Sequence, residues 1–193
     1  MKKILIPLIA IFFYSCSSNS SSSDNSGIDT SKAVVRKTDS VKESDTAKVA
    51  DSAAKQWTYS NEVDKMTSKT NYYAAVDANE LLDFPSPYEG GSTATLNIRN
   101  TDGKNEALLM ISKGQFLSHI DGGTIKIRFD NDQPVTFETN NPSDGSSTVI
   151  FIENAAKLIK KLKTSEKIII ASEFYESGEK TMEFNVKNFK WEH

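Results

Sequence analysis

Cysteine is almost absent from this 193-residue chain, since Cys16 is the only one. The rest of the chain therefore has no thiol for an internal disulfide, a cysteine nucleophile or a cysteine-ligated zinc site. Histidine is scarce as well: besides His193 there is only His119, and imidazole-rich metal sites need two or three. We therefore expect the fold to depend on its hydrophobic core, with no metal and no cofactor.

The sequence also lacks an excess of positive charge. It has 23 Lys and Arg residues against 26 Asp and Glu residues, a net charge of -3. A protein that binds nucleic acid needs clustered cations to displace counterions from the phosphates. This balance predicts no nucleic-acid partner, and it gives no reason to expect attraction to anionic lipids.

Long apolar runs are missing too, except for one near the start of the sequence. Lys2 and Lys3 precede a ten-residue apolar run over residues 4–13 that includes Pro7. A helix needs roughly 20 apolar residues to cross the hydrocarbon core of a membrane. The run is too short for that but fits the apolar region of a secretory signal, so residues 1–15 are predicted to be a signal peptide.

The residues that follow indicate lipidation at Cys16. Phe13 and Tyr14 are too bulky for an ordinary signal-peptidase site, and the stretch ending in Ser15, Cys16 and Ser17 resembles a lipobox. Phe13 stands where most lipoboxes have leucine, a relaxed form similar to that of Bacteroidota lipoproteins. The resemblance implies that Cys16 becomes the first mature residue and carries acyl chains such as palmitate, which anchor it in the bilayer. The alternative is that Cys16 is discarded with the signal.

Residues 16–55 are predicted to be a disordered tether. The segment is rich in Ser near Cys16 and in Lys, Asp, Ser and Ala further on, with no apolar stripe that could form a core. No acidic residue follows Cys16 directly, since the next residues are Ser17 and Ser18 and the first acid is Asp24. By the sorting rules of such lipoproteins, this pattern predicts the outer membrane, with the periplasm-facing side favoured over surface exposure.

Residues 56–193 are predicted to form one β-rich globular domain. Apolar and polar residues alternate over 93–99, 123–130 and 182–186, as in half-buried antiparallel strands. Apolar runs at 107–111, 148–152 and 168–171 favour central strands covered on both faces. Residues 153–163 have the spacing of one amphipathic helix, whose lysines suit the helix dipole better than a binding patch. The expected fold is mainly β, an antiparallel β-sandwich or partly open barrel with one helix.

The order of these segments resembles the VasI/TagO-type domain of envelope proteins associated with type VI secretion. The resemblance covers residues 57–191 and includes Pro87-Tyr88, the strand Leu96–Arg99, the strand Ile127–Asp130 and the helix that follows Phe151. It implies a fold and an envelope setting, and it brings no catalytic residues with it.

The domain shows no arrangement of a nucleophile and a base, so we predict no catalytic residues. His119 lies in a predicted turn, and Asp130 and Asp132 lack the spacing of a calcium loop and fit turn chemistry. The acidic residues Glu173, Glu176 and Glu179 fit a solvated strand edge. They also leave open an alternative, a hydrolase of envelope polymers that uses paired carboxylates.

The strongest candidate for a recognition surface is the loop over residues 84–91. It contains two prolines, two aromatic residues and two glycines, and Phe84, Pro87 and Tyr88 are its predicted binding residues. The alternative is that Phe84 and Tyr88 cap the core. The sequence as a whole predicts a membrane-anchored lipoprotein that presents a non-catalytic binding or assembly module, with an envelope protein as its partner.

Overall fold

The computed structural model describes residues 56–117 and 122–193. These residues all belong to one compact unit. The predicted signal peptide, tether and lipidated Cys16 lie outside the described residues, and so does His119. None of the helices described is long and apolar enough to cross a membrane.

The described chain folds into one nine-stranded antiparallel sheet with a single helix. The elements in chain order are β1 (Thr58–Val63), β2 (Thr70–Asp77), β3 (Ala94–Thr101), β4 (Lys104–Ile111), β5 (Gly123–Phe129), β6 (Val135–Asn140), β7 (Val149–Ile152), α1 (Ala155–Leu162), β8 (Lys167–Phe174) and β9 (Gly178–Asn185). The strands lie in the order β1-β2-β3-β4-β7-β6-β5-β8-β9. The prediction of a mainly β, antiparallel fold with one amphipathic helix is confirmed. The sheet is open, because β1 and β9 are both edges.

Side chains alternate between a buried inner face and a wetter outer face, as the two-residue period of a strand requires. On β3, for example, Leu96 and Ile98 are fully buried, whereas Asn97 and Arg99 between them are half-buried. The inner faces of all strands from β2 to β9 contribute to a single hydrophobic core. One continuous core is what makes this sheet a single domain.

The expectation that the three apolar runs are covered on both faces is wrong. Leu108 on the outer face of β4 is buried, but Met110, two residues further on, is 38% exposed. The outward side chains of Phe151 on β7 and Ile169 on β8 are only half-buried. An apolar run here therefore marks one fully covered face and one partly wet face.

Helix α1 covers part of the inner face and follows its predicted spacing. Its buried residues recur at intervals of three and four: Ala155, Leu158, Ile159 and Leu162. Asn154 caps the N-terminus, where its side chain accepts a hydrogen bond from the Lys157 amide at 3.2 Å. Packing of this stripe, more than the intrinsic preference of so short a segment, stabilises the helix.

The segment after β9 covers another part of the inner face. Val186, Phe189 and Trp191 are buried, and the Trp191 indole N–H donates to Asn105 Oδ1 at 3.1 Å. At the start of β1 the Trp57 indole donates to the Val186 carbonyl at 3.2 Å, and its ring lies 4.4 Å from that of Phe189. These contacts join the β1 edge to the chain that leaves β9, although the two edge strands do not pair.

Asp130 holds the end of β5 against the start of β8, its neighbour in the sheet. Its Oδ1 accepts hydrogen bonds from the Glu166 and Lys167 amides, both at 3.0 Å. We expect Asp130→Ala to lower the free energy of unfolding by about 1 to 3 kcal/mol, because both amides lose their acceptor. Urea unfolding measures this loss.

Two further variants separate the acceptor from the backbone. Asp130 has a φ of 46°, a conformation that asparagine tolerates well and glycine adopts freely. Asp130→Asn keeps an acceptor and should lose less stability than Asp130→Ala. Asp130→Gly removes the acceptor without backbone strain, so a Gly variant as stable as wild type would contradict the capping role.

Asp64 fixes the turn between β1 and β2 and makes that turn sensitive to acid. Its Oδ1 accepts from the Thr67 amide at 3.0 Å and the Met66 amide at 2.7 Å. These backbone hydrogen bonds, that of Thr67 first, lower the pKa of Asp64 below its ordinary value. The carboxylate therefore stabilises the turn above the unfolded-state pKa, and this contribution is lost as the pH falls through the folded-state pKa.

We expect an NMR titration of the folded protein to give a lower midpoint for Asp64 than the same titration in urea. The amide shifts of Met66 and Thr67 should follow the same folded-state midpoint, because both groups donate to the carboxylate. Equal midpoints in the folded and unfolded chains would show that the turn does not favour the charged form.

Candidate functional site

The loop predicted as a recognition surface, residues 84–91, lies close to the turn between β8 and β9. Phe84 is only 4% exposed and packs edge-on against Phe174 of β8, with ring centroids 5.1 Å apart. Tyr88 is half-buried against the core, and Pro87 is exposed. Of the three predicted binding residues, Phe84 anchors the loop, and only Pro87 and Tyr88 offer surface to a partner.

Hydrogen bonds at both ends of this loop fix its conformation. Leu82 and Ser92 exchange two backbone hydrogen bonds of 2.8 Å at its base. The Tyr88 amide donates to the Pro85 carbonyl at 3.0 Å, and the Tyr88 hydroxyl accepts from the Gln115 side chain at 2.7 Å. A surface held in this way loses little conformational entropy when it binds, which is the usual benefit of preorganisation.

A small notch of about 150 Å³ separates this loop from the β8–β9 turn. Phe84, Pro87 and Tyr88 all line it, so the structure brings the three predicted residues to one place. Tyr175 lines the opposite side and is 55% exposed. We call Pro85, Pro87, Tyr88 and Tyr175 the notch surface.

Sequence reasoning missed Tyr175. The β8–β9 turn is far from the loop along the chain, and it is joined to the same region by a backbone hydrogen bond from Tyr175 to the Gln115 carbonyl at 3.0 Å. No local sequence pattern predicts such a long-range contact. The only local signal for a binding role of Tyr175 is an aromatic residue in a tight, exposed turn.

A group of three carboxylates lines a separate cavity of about 540 Å³ at the ends of β5, β6 and β8. Glu173 on β8 stands directly opposite Glu179 on β9, and Glu138 lines the same cavity from β6. Lys126 pairs with Glu179 at 3.2 Å between Nζ and Oε2. The predicted solvated strand edge therefore includes two cross-strand glutamates and one cation.

The surroundings of these carboxylates suit acid–base chemistry poorly. A general acid in a glycosidase is a carboxyl group held in an apolar pocket away from water. Glu138, Glu173 and Glu179 are all exposed, so water solvates each of them. Their shared cavity leaves the hydrolase alternative open, but none of the three carboxylates is buried away from water as a proton donor would be.

Asp130, one of the two residues weighed as calcium ligands, has a structural task. Asp130 Oδ1 is already bound to two backbone amides, as turn chemistry predicts. Within residues 56–117 and 122–193, no three acidic, histidine or cysteine side chains are grouped so that they could hold a metal ion.

Gly114 tests the link between the loop and the core. It has a φ of 91°, and a Cβ added there would lie 2.8 Å from the Phe84 ring. We expect Gly114→Ala to destabilise the fold by about 1 to 3 kcal/mol through backbone strain and overpacking, measured by urea unfolding. Gly145 has a φ of 74° but open space around it, so Gly145→Ala isolates the backbone term. Equal losses in the two variants would mean that Phe84 is not held tightly.

Comparisons with protein-family models, with curated proteins and with solved structures each returned no match. The resemblances to Bacteroidota lipoproteins and to the VasI/TagO-type domain therefore stay predictions.

Proposed function

We propose that this chain is a lipid-anchored envelope protein whose β domain binds a protein partner through the notch surface. The observation that carries the proposal is the rigid loop of exposed prolines facing an exposed tyrosine across a small concavity. Tyrosines are favoured in binding surfaces because they offer large contact area with few rotatable bonds.

The membrane attachment in this proposal rests on the sequence alone. The apolar run of residues 4–13 and Cys16 after it support acylation, with the outer membrane as the location and the periplasm-facing side favoured. A lipid anchor confines the domain near one surface and raises its effective concentration for partners there.

The alternative function, hydrolysis of envelope polymers, has less support. It relies on the shared cavity of Glu138, Glu173 and Glu179, whose carboxylates are exposed to water. A carboxylate pair in water can bind cations or hydroxyl groups, but it lacks the protected environment of a proton donor.

A photo-crosslinking experiment in intact cells tests the binding proposal. A photoreactive amino acid is placed at Ser86 or Glu176, which line the notch, and at Lys104, the first residue of β4, as a control. We expect one envelope protein to be captured from the two notch positions and not from Lys104. Capture that is equal at all three positions, or no product at the notch, would refute the proposal.

Three further variants sharpen this test. Tyr175→Ala should reduce the capture at Ser86 roughly tenfold, since an exposed aromatic anchor typically contributes at least 1 kcal/mol to binding. Met66→Ala removes an even more exposed apolar side chain in the β1–β2 turn and should have no effect. Cys16→Ala should lower the capture by removing the anchor, and undiminished capture would contradict the need for lipidation.

A further inference from the structure

The exposed side of helix α1 is strongly and uniformly positive. Lys157, Lys160 and Lys161 lie at intervals of three and four, which places them on one face, and Lys163 follows at the C-cap. The helix contains no acidic residue. We call these four residues the lysine face; it lies opposite the buried stripe of the helix.

No carboxylate pairs with the lysine face within the described part of the chain. None of its four lysines forms an ion pair there, whereas lysines elsewhere do: Lys69, Lys104, Lys126, Lys167 and Lys187. The carboxylates nearest in sequence are engaged elsewhere. Glu153 accepts from the Asn140 side chain, and Glu166 pairs with Lys187 at 3.0 Å.

Two of the four ammonium groups are held in place by aromatic rings. Lys157 Nζ lies 4.8 Å from the centroid of Phe137, and Lys161 Nζ lies 4.8 Å from that of Phe129. Both rings are buried, so the helix and the sheet together fix where these cations stand. The helix dipole accounts for cations in the last turn, but it accounts neither for Lys157 nor for the absence of acids.

We propose that the lysine face docks the domain onto an anionic lipid surface. Charge complementarity selects this occupant: four lysines on one side of a helix, none of them in an ion pair within the described residues and two of them held by aromatic rings, match a plane of lipid phosphates. The inference extends the proposed function, because a domain tethered through Cys16 would meet such a surface repeatedly. The net negative charge of the chain conceals this local patch, which is why overall charge gave no reason to expect it.

Vesicle flotation tests the proposal without the anchor. The chain from residue 16 onward carries Cys16→Ser and is mixed with neutral phosphatidylcholine vesicles or with vesicles that contain about one third phosphatidylglycerol. We expect binding to the anionic vesicles only, and its loss at about 1 M salt, where the screening length falls to about 3 Å. Equal binding to both vesicle types, or binding to neither, would overturn the proposal.

A pair of matched charge reversals locates the effect. Lys160→Glu with Lys163→Glu should weaken binding by about thirtyfold or more, because each lysine near a charged surface contributes roughly a factor of five. Lys65→Glu with Lys190→Glu changes the net charge equally, at exposed lysines without an ion pair in the described residues. This control should retain binding, and an equal loss in both pairs would show that only net charge matters.

The result of the vesicle assay does not depend on whether the proposed function is correct. The vesicle assay uses a chain that has neither an acyl anchor nor a protein partner, whereas the crosslinking assay reports on the notch surface. Circular dichroism and thermal unfolding of each variant verify that the helix is intact. A folded Lys160→Glu, Lys163→Glu variant that still binds anionic vesicles like wild type would refute the docking role of the lysine face.

Discussion

The whole architecture depends on shielding the apolar face of one open sheet from water. A barrel solves this problem by closure and a disulfide-rich domain by covalent links, but this sheet is open and its described residues contain no cysteine. Two other elements shield the inner face of the sheet instead. Helix α1 packs its apolar stripe on this face, and the segment 186–193 places Phe189 and Trp191 against it. Hydrophobic burial by these covers is the main favourable term for folding.

The sequence predicted the elements whose signals are local. The alternation at Ile125 and Ile127 and the spacing of Leu158 and Leu162 are visible within a few residues, and both match the structure. The run 107–111 led to the wrong expectation that both faces of its strand are covered. An apolar run of this kind looks the same in the sequence whether one face or both faces of the strand are covered. Burial of the outer face depends on what packs over it, which no local pattern encodes.

The residues of the candidate surfaces also differ in whether a local sequence pattern identifies them. Pro87 and Tyr88 could be named from composition, since prolines beside aromatics in a loop are a local feature. Tyr175 could not, because its place beside them is set by the pairing of β8 and β9. The cavity with Glu138 and Glu173 also depends on strand order, which joins β6, β5 and β8 in a sequence that no single segment reveals.

Several side chains act at both the surface and the core. Lys157 and Lys161 extend over the rings of Phe137 and Phe129 while their ammonium groups stay at the surface. Tyr88 packs against the core, and its hydroxyl accepts a hydrogen bond from the Gln115 side chain. Each of these three residues therefore contributes to the core and to a candidate binding surface at the same time.

The contact of Trp57 has a mechanical consequence. All six residues of β1 are exposed, so this edge strand has little packing of its own to resist a pull from the chain that precedes it. Trp57 stands at the point where such a pull would enter, held by the Val186 carbonyl and the Phe189 ring. A pull would therefore load the contacts of Trp57 with the buried segment after β9 before it loads the Thr58–Ala75 pair. We expect these contacts to protect the edge of the sheet from peeling.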